Sequence, residues 1–315
     1  MLYLTESQVR QLLPMDKAIE LVEGGFLHLA AGRARNHPRR RLQLETSAML
    51  HYMAAVDTES GYLGAKIYST HPKGGAHFLV LLYALDGRPL ALIEANALGQ
   101  IRTGAASAVA TRRLANPEAS IVGLIGAGFQ ATTQLEAVAL VRRLSEVRVY
   151  SRSESNRRQF AENMSKALRL PVAPVHSAEQ AIRGCHIAIT ATTSRDPVLL
   201  GNWLSPGTHI NAVGSNQARN RELDGAAVNR AALVVTDSIE QAKLESGDLI
   251  AAFENEQGRW ERVVELADVL SGRHPGRRNK DEVTLFKSNG VALEDIAVAG
   301  YVYHQALANS GESKN

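Results

Sequence analysis

The sequence predicts an α/β protein: a doubly wound parallel sheet joined to a second, α+β domain. Three observations predict it. An apolar run from Ile121 opens into Gly126-Ala127-Gly128-Phe129-Gln130-Ala131 and then a helix-like segment. From Ala119 onward, apolar runs bounded by turn residues alternate with helical patterns, the rhythm of a parallel sheet with crossover helices. Residues 1–116 follow a different rhythm of two helices and then strands, so they form a separate domain.

Each element has its own signal. Thr5 with Gln8 makes a capping box for a short first helix. Pro14 starts a second helical pattern, with Ile19, Val22, Phe26 and Leu29 on one face, and Gly32 ends it. Strand-like segments follow: RLQL, LHYMAAV, AKIYS and HFLVLLYAL, with Asp86-Gly87 as the turn before PLALIEA. Small-residue-rich Thr103–Leu114 reads as a helix broken by Asn116-Pro117. SIVGLIG is then a strand, Ala131–Leu144 its helix, VRVYS a second strand, Asn156–Leu168 the next helix and PVAPVH a third strand. HIAITAT, THINAVG and LVVTD read as later parallel strands. Beyond Asp281 the chain ends in a long helix that returns to the first domain, and the polar tail Asn309–Asn315 is expected to fray. The domains are therefore 1–116 with 289–315, and 117–288.

Composition excludes several function classes. A formal net charge of +3 is too small to argue for nucleic acid without a focused patch. No apolar run reaches the ~18 residues of a membrane span, and MLYLTESQVRQLL lacks the features of a signal peptide. A single Cys cannot make an intrachain disulfide and fits a cytoplasmic protein; Cys185 sits in an apolar stretch and reads as a small buried residue. No metal is expected.

The glycine turn carries the first chemistry. In G-x-G-x-x-A, Gly126 permits the tight turn, Gly128 lets a pyrophosphate approach the backbone, and Ala131 allows close helix packing, with phosphates facing the helix start. This is a Rossmann-type dinucleotide turn. The second strand ends at Ser151-Arg152-Ser153, with no acid at its tip. An acid there serves the ribose 2′-hydroxyl of NAD, whereas Arg accommodates a 2′-phosphate, so NADP(H) is preferred and NAD(H) remains possible. Three further clusters are ambiguous when read alone. Arg102-Thr103 could hold an anion at a helix start or lie on a packed helix. Lys66, on the same strand face as Tyr68, points into a cavity or, by preference, to water. The run Arg33, Arg35, Arg39, Arg40 and Arg41 is a solvated loop or supplies a carboxylate-binding Arg.

Together these blocks resemble the ornithine cyclodeaminase/mu-crystallin family over nearly the whole chain. The residues that carry the resemblance are His37-Pro38-Arg39-Arg40-Arg41, Ala65–Tyr68 with His71-Pro72, Arg102–Ser107, Gly126–Gln130, Asn211-Ala212-Val213-Gly214 and Thr284–Ser288. The resemblance implies a split first domain that dimerises through its sheet, a Rossmann domain, and an active site in the cleft between them. It implies that Arg39 or Arg41 binds the substrate carboxylate and that Lys66 contacts the same carboxylate or the reacting nitrogen. Arg102, with Thr103, would serve the cofactor phosphates; Phe129, Gln130, Thr192 and Asn211–Gly214 would lie along the dinucleotide, and Ser288 near the nicotinamide.

Two departures bear on the activity. Cyclodeaminases carry an Asp in N-A-V-G-G-D; this chain reads Gly214-Ser215-Asn216, and an amide at the substrate site cannot exchange a proton near neutral pH. They also carry a Glu where this chain has His51, and an imidazole does not attract an ammonium. The expectation is therefore an NAD(P)-dependent imino-acid or ketimine reductase, or the reverse amino-acid dehydrogenase, acting as a homodimer, with Lys66 or His51 as the acid. A cyclodeaminase-type lyase with recycled nicotinamide, or a non-enzymatic NADPH binder like mu-crystallin, are the alternatives.

Overall fold

In the computed structural model, residues 1–43, 45, 48–254 and 257–310 are described, so the tail beyond Ser310 lies outside the described residues. The chain divides into two compact units, residues 1–105 with 291–315 and residues 106–290.

The first unit opens with β1 (Leu2–Leu4), α1 (Glu6–Leu12) and α2 (Met15–Ala30). Thr5 and Gln8 form the expected capping box. Met15, Ala18, Ile19, Val22 and Phe26 of α2 are buried, the spacing of an amphipathic face; Gly32, at φ +72°, follows its end. Five strands follow: β2 (Ala34–Gln43), β3 (Met49–Asp57), β4 (Tyr62–His71), β5 (Gly75–Ala84) and β6 (Pro89–Glu94). Their sheet has the order β1-β6-β5-β4-β3-β2, antiparallel except for the β1–β6 pair. Arg35, Arg39, Arg40 and Arg41 of the Arg run lie in β2 rather than in a loop; β2 pairs with β3, and the register slips between His37 and Arg40.

The next helix, α3 (Asn96–Leu114), starts seven residues before the expected Thr103. Its N-terminus is capped from a distance: the two Glu6 carboxylate oxygens accept the Asn96 and Ala97 N–H groups, each at 2.6 Å. A cap supplied from α1 leaves no local signal in the sequence.

The second unit holds the doubly wound sheet. Its elements are β7 (Ile121–Ile125), α4 (Phe129–Val141), β8 (Glu146–Tyr150), α5 (Glu154–Leu168), β9 (Val172–Pro174), α6 (Ala178–Ile182), β10 (Ile187–Thr190), β11 (His209–Ala212), α7 (Gly225–Arg230), β12 (Ala231–Thr236), α8 (Ile239–Glu245), α9 (Gly247–Phe253), β13 (Val263–Glu265), α10 (Leu266–Leu270) and β14 (Val283–Lys287). All pairings are parallel, in the order β13-β12-β14-β11-β10-β7-β8-β9. Two apolar cores flank it. One contains Leu124, Ala131, Leu135 and Val149; the other Ile125, Leu199, Leu249 and Leu285. Cys185 belongs to the second core, and burial pushes its thiol up to about 12, so it is inert packing.

The last helix, α11 (Ala292–Ser310), belongs to the first unit and packs on α2 and on the face of β3 and β4 that carries Lys66. Gly64 makes this packing possible. A Cβ there would stand 2.3 Å from the Leu81 carbonyl oxygen and 2.6 Å from Ile296 Cδ1. The opposite sheet face is apolar and open: Leu42, Leu50, Tyr52 and Leu79 are exposed on it, and Tyr52 and Leu79 flank Ile67 in register. Gly64→Ala is expected to lower the unfolding free energy by about 1–3 kcal/mol through overpacking against backbone, measured by urea denaturation.

Candidate active site

In the first unit, two rows of side chains cross the sheet on the face under α11. Strand register sets Arg41 opposite His51, His51 opposite Tyr68, and Tyr68 opposite Phe78. The rings in this row stack, His51 on Tyr68 at 4.2 Å and Tyr68 on Phe78 at 4.8 Å between centroids. The second row sets Met53 opposite Lys66 and Lys66 opposite Val80. Arg39 joins it, its Nη2 donating to Met53 Sδ at 3.4 Å.

Lys66 is 3% exposed, which overturns the preference for a solvated lysine. Two acids at the start of α11 account for its burial. Lys66 Nζ donates to Asp295 Oδ1 at 2.7 Å; Arg102 Nε donates to the same oxygen at 3.2 Å, and Arg102 Nη1 to Glu294 Oε2 at 2.5 Å. All four charged groups are buried, and so is Arg39. Burial draws the Lys66 pKa down to about 8; Asp295 opposes this shift, while Arg102 and Arg39 add to it. The ammonium form therefore predominates at neutral pH. Arg102 could reach a phosphate only by leaving both carboxylates, and the Thr103 hydroxyl donates to the Gly99 carbonyl at 2.6 Å.

His51 is buried, with Nε2 2.9 Å from Thr70 Oγ1. Burial, then the Arg41 and Arg39 charges, push its pKa down to about 4. It is a neutral imidazole at physiological pH. Arg41 at the end of this row is half-buried, whereas Arg39 is fully buried.

The second unit provides the dinucleotide-type turn. Gly126 has φ +116°, and a Cβ there would lie 2.4 Å from the Ala191 carbonyl oxygen, so only glycine fits. Gly128 is the N-cap of α4, offers no side-chain cap, and faces open space where a Cβ would be. At this helix start the Ala131 N–H donates to the Gly128 carbonyl at 3.1 Å, and the dipole of the helix favours an approaching anion. Gln130 contributes a buried side-chain oxygen with no hydrogen-bond partner among the described residues. The residues present fit a dinucleotide pyrophosphate. After β8, the Ser151 hydroxyl donates to the Ser153 carbonyl, Ser153 caps α5, and Arg152 is exposed. Glu154, the nearest acid, pairs with Arg158 at 2.7 Å.

Sequence reasoning missed the acids that organise the carboxyl ends of these strands. Glu222 is fully buried. Its Oε1 accepts from Thr192 N at 2.6 Å and Thr192 Oγ1 at 2.8 Å; its Oε2 accepts from Gly214 N at 2.7 Å and Thr190 Oγ1 at 2.9 Å. One carboxylate thereby ties the turn after β10 to the turn after β11. Gly214 must be glycine, because a Cβ there would lie 2.3 Å from the Thr192 backbone. Lys287 donates to the Ser215 carbonyl at 2.8 Å and lies 3.1 Å from Asp248, fixing the turn that carries Asn216. Asp237 accepts from Ser288 Oγ at 3.0 Å and from the Asn289 and Gly290 N–H groups. Ala212 is buried in the core, Val213 is half-buried, and the Asn211 amide is occupied by Thr111 and His209, leaving backbone to line this rim. Phe129 is 45% exposed beside the glycine turn. Placement could have found part of this network: Lys287, like Glu294-Asp295 of the first unit, sits inside an apolar run where a charge has to be paired, whereas Glu222 lies in the polar stretch Asn220-Arg221-Glu222 and gives no such signal.

Residues 1–310 match the ornithine cyclodeaminase/mu-crystallin family. The chain belongs to this family. Among its relatives, it is 35% identical to alanine dehydrogenase of Archaeoglobus fulgidus over 320 residues, covering 99% of this chain and 97% of that one. It is 39% identical to Delta(1)-pyrroline-2-carboxylate reductase of Thermococcus litoralis, solved with NADH and L-proline, at a TM-score of 0.93 and 98% coverage of both chains. An archaeal alanine dehydrogenase dimer with bound NAD superposes at a TM-score of 0.93 with 35% identity, covering 100% of this chain and 98% of that one. The family resemblance and the α/β fold expected from the sequence are both met.

The His51 shift gives a stability prediction. A folded-state pKa below the ordinary value of about 6.5 means that the unfolded chain binds the extra proton first. His51 thus contributes stability that is present above about pH 6.5 and lost as pH falls toward 4. In His51→Phe, which keeps a ring on Tyr68 but cannot titrate, the fall in unfolding free energy over that range is expected to be about 2 kcal/mol smaller than in the unmodified protein, read from denaturant curves at each pH.

Proposed function

We propose that this protein is an NAD(P)-dependent oxidoreductase acting on the C–N bond of amino and imino acids, working as an imino-acid or ketimine reductase or as the reverse amino-acid dehydrogenase. The observation that carries the reading is Lys66: a buried ammonium flanked by the buried guanidinium groups of Arg39 and Arg102, which is a place for an anionic substrate. The relatives named alanine dehydrogenase and pyrroline-2-carboxylate reductase support the substrate class.

When bound, the dinucleotide supplies or accepts the hydride. The chain does the rest. Arg39, the more buried of the two candidate arginines, pairs with the substrate carboxylate, and Arg41 at the edge of the aromatic row steers it in. Lys66 gives its proton to the imine nitrogen as hydride reaches the carbon, so that C=N becomes CH–NH; the amine left on Lys66 regains its proton from water. His51 is neutral and serves as a wall of the site with Tyr68 and Phe78, leaving Lys66 as the acid. Asn216 cannot shuttle a proton, which disfavours a lyase that must activate an amine nucleophile. Among the described residues, no acid at the tip of β8 opposes a 2′-phosphate, and exposed Arg152 can pair with one, which supports NADP(H) over NAD(H). Gln130 and Phe129 would flank the dinucleotide, and Thr192, Val213 and Ser288 its nicotinamide half. The open apolar sheet face of Leu42, Leu50, Tyr52 and Leu79 supports a homodimer. A soluble cytoplasmic enzyme is consistent with this, and among the described residues no helix is long and apolar enough to cross a membrane.

The test is a scan of cyclic imino acids, and of keto acids with ammonia or methylamine, in the presence of NADPH. Reduced nicotinamide is expected to be consumed in stoichiometric amount. In the reductive direction kcat/KM is expected to fall as pH rises through about 8, because the ammonium is required; in the oxidative direction it is expected to rise over the same interval. Lys66→Ala is expected to abolish turnover in both directions with dinucleotide binding intact. Ammonia release without net change in nicotinamide absorbance would point to a lyase instead.

A further inference from the structure

We propose that Asp295, supported by Glu294, is the positioning residue of Lys66: one carboxylate oxygen at the start of α11 sets the direction of the ammonium and keeps the proton on it. This rests on the role of Lys66 proposed above and adds the group that makes that role possible.

Charged and aromatic groups surround Lys66 Nζ. From β2 comes the Arg39 guanidinium, and from α3 that of Arg102; both are like charges that favour the neutral amine. From β5 comes the Phe78 ring, its centroid 5.5 Å away. From β3 comes Met53, opposite Lys66 in register; His51, two residues before Met53 on the same strand, is a neutral imidazole opposite Tyr68. From α11 come Asp295, at 2.7 Å, and its neighbour Glu294. Burial and two neighbouring guanidinium groups all oppose the ammonium form. Among these groups the acids of α11 are the ones that favour it, and Asp295 is the one in contact.

The geometry also fixes direction. Asp295 Oδ1 is shared between Lys66 Nζ and Arg102 Nε, and Arg102 is held in turn by Glu294, so the carboxylate cannot swing away without breaking a second pair. Both acids lie in the first turn of a 19-residue helix, where the helix dipole favours negative charge. The backbone of α3 also passes so close that a Cβ at Gly99 would lie 2.7 Å from Lys66 Nζ. The ammonium is held by the carboxylate and crowded by the glycine backbone, and one contact to Asp295 leaves it further N–H protons for substrate. Gly99 thus has a reason in the site: the atom it makes room for is the end of a flexible side chain, so a methyl group there displaces Lys66 rather than the fold.

The test reads the Lys66 proton directly. The protein is labelled with [ε-13C]lysine, the Lys66 resonance is assigned by its loss in Lys66→Arg, and its titration is followed by NMR beside the pH profile of kcat/KM. A midpoint near 8 is expected in the unmodified protein. In Asp295→Asn it is expected to fall by at least about one unit, with the limb of kcat/KM moving by the same amount and activity partly recovered by lowering the pH. Gly99→Ala is expected to move both in the same direction with the melting temperature kept, which covers the case in which Asp295→Asn does not fold. An unchanged Lys66 midpoint in both variants overturns the proposal, as does a midpoint that moves while the kcat/KM limb stays. A midpoint that moves in a protein inactive on every imino acid supports the contact to Asp295 and counts against the proposed function instead.

Discussion

A buried ammonium needs a counter-charge, and much of the first unit is arranged around giving one to Lys66. The strand that carries it is crossed by α11, the last element of the chain, whose first turn delivers Glu294 and Asp295. α3 brings Arg102 to the same two acids and Gly99 to the ammonium. Removing one partner of such a buried group typically costs about 3–5 kcal/mol, because the other is left uncompensated. The N-terminal strands and the C-terminal helix are therefore bound by electrostatics as well as by the packing of Ile296 on Gly64. A buried cation interacts with an anion more strongly than one in water does, which is the basis of the substrate-binding role proposed for Lys66.

The second unit uses the opposite charge for a related purpose. Three buried acids, Glu222, Asp237 and Asp248, accept backbone N–H groups at the carboxyl ends of the parallel strands. A carboxyl group has two oxygens with acceptor capacity, so one residue can gather several donors that would otherwise be orphaned at a strand end, although burial pushes the Glu222 pKa up. Glu222 gathers four and so sets the spacing of two turns. Ligands of doubly wound sheets bind at that end, where these acids hold the turns in place.

Much of this was legible in the sequence, and the exceptions have physical causes. The glycine turn was readable because its residue types follow from backbone geometry: Gly126 sits at φ +116° with no room for a Cβ. The capping box at Thr5 is likewise local chemistry. The start of α3 was not readable because its cap comes from Glu6, some ninety residues away. The Arg run reads as a solvated loop because charges dominate it, yet Arg35 and Arg40 are exposed along β2 while Arg39 turns in. Lys66 posed the hardest case. A lone Lys between apolar neighbours is ambiguous until its counter-ion is known, and Asp295 lies 229 residues further along the chain.

The claim on which the rest depends is that the Lys66 cluster receives a carboxylate. Isothermal titration of the dinucleotide-bound protein with pyrrole-2-carboxylate and with pyrrole-2-carboxamide, planar compounds that cannot be reduced at a C=N bond, isolates that charge. A charge-assisted contact worth about 1.5–3 kcal/mol corresponds to roughly ten- to hundredfold tighter binding of the carboxylate, lost in Arg39→Ala. Equal affinity for the two compounds would contradict it.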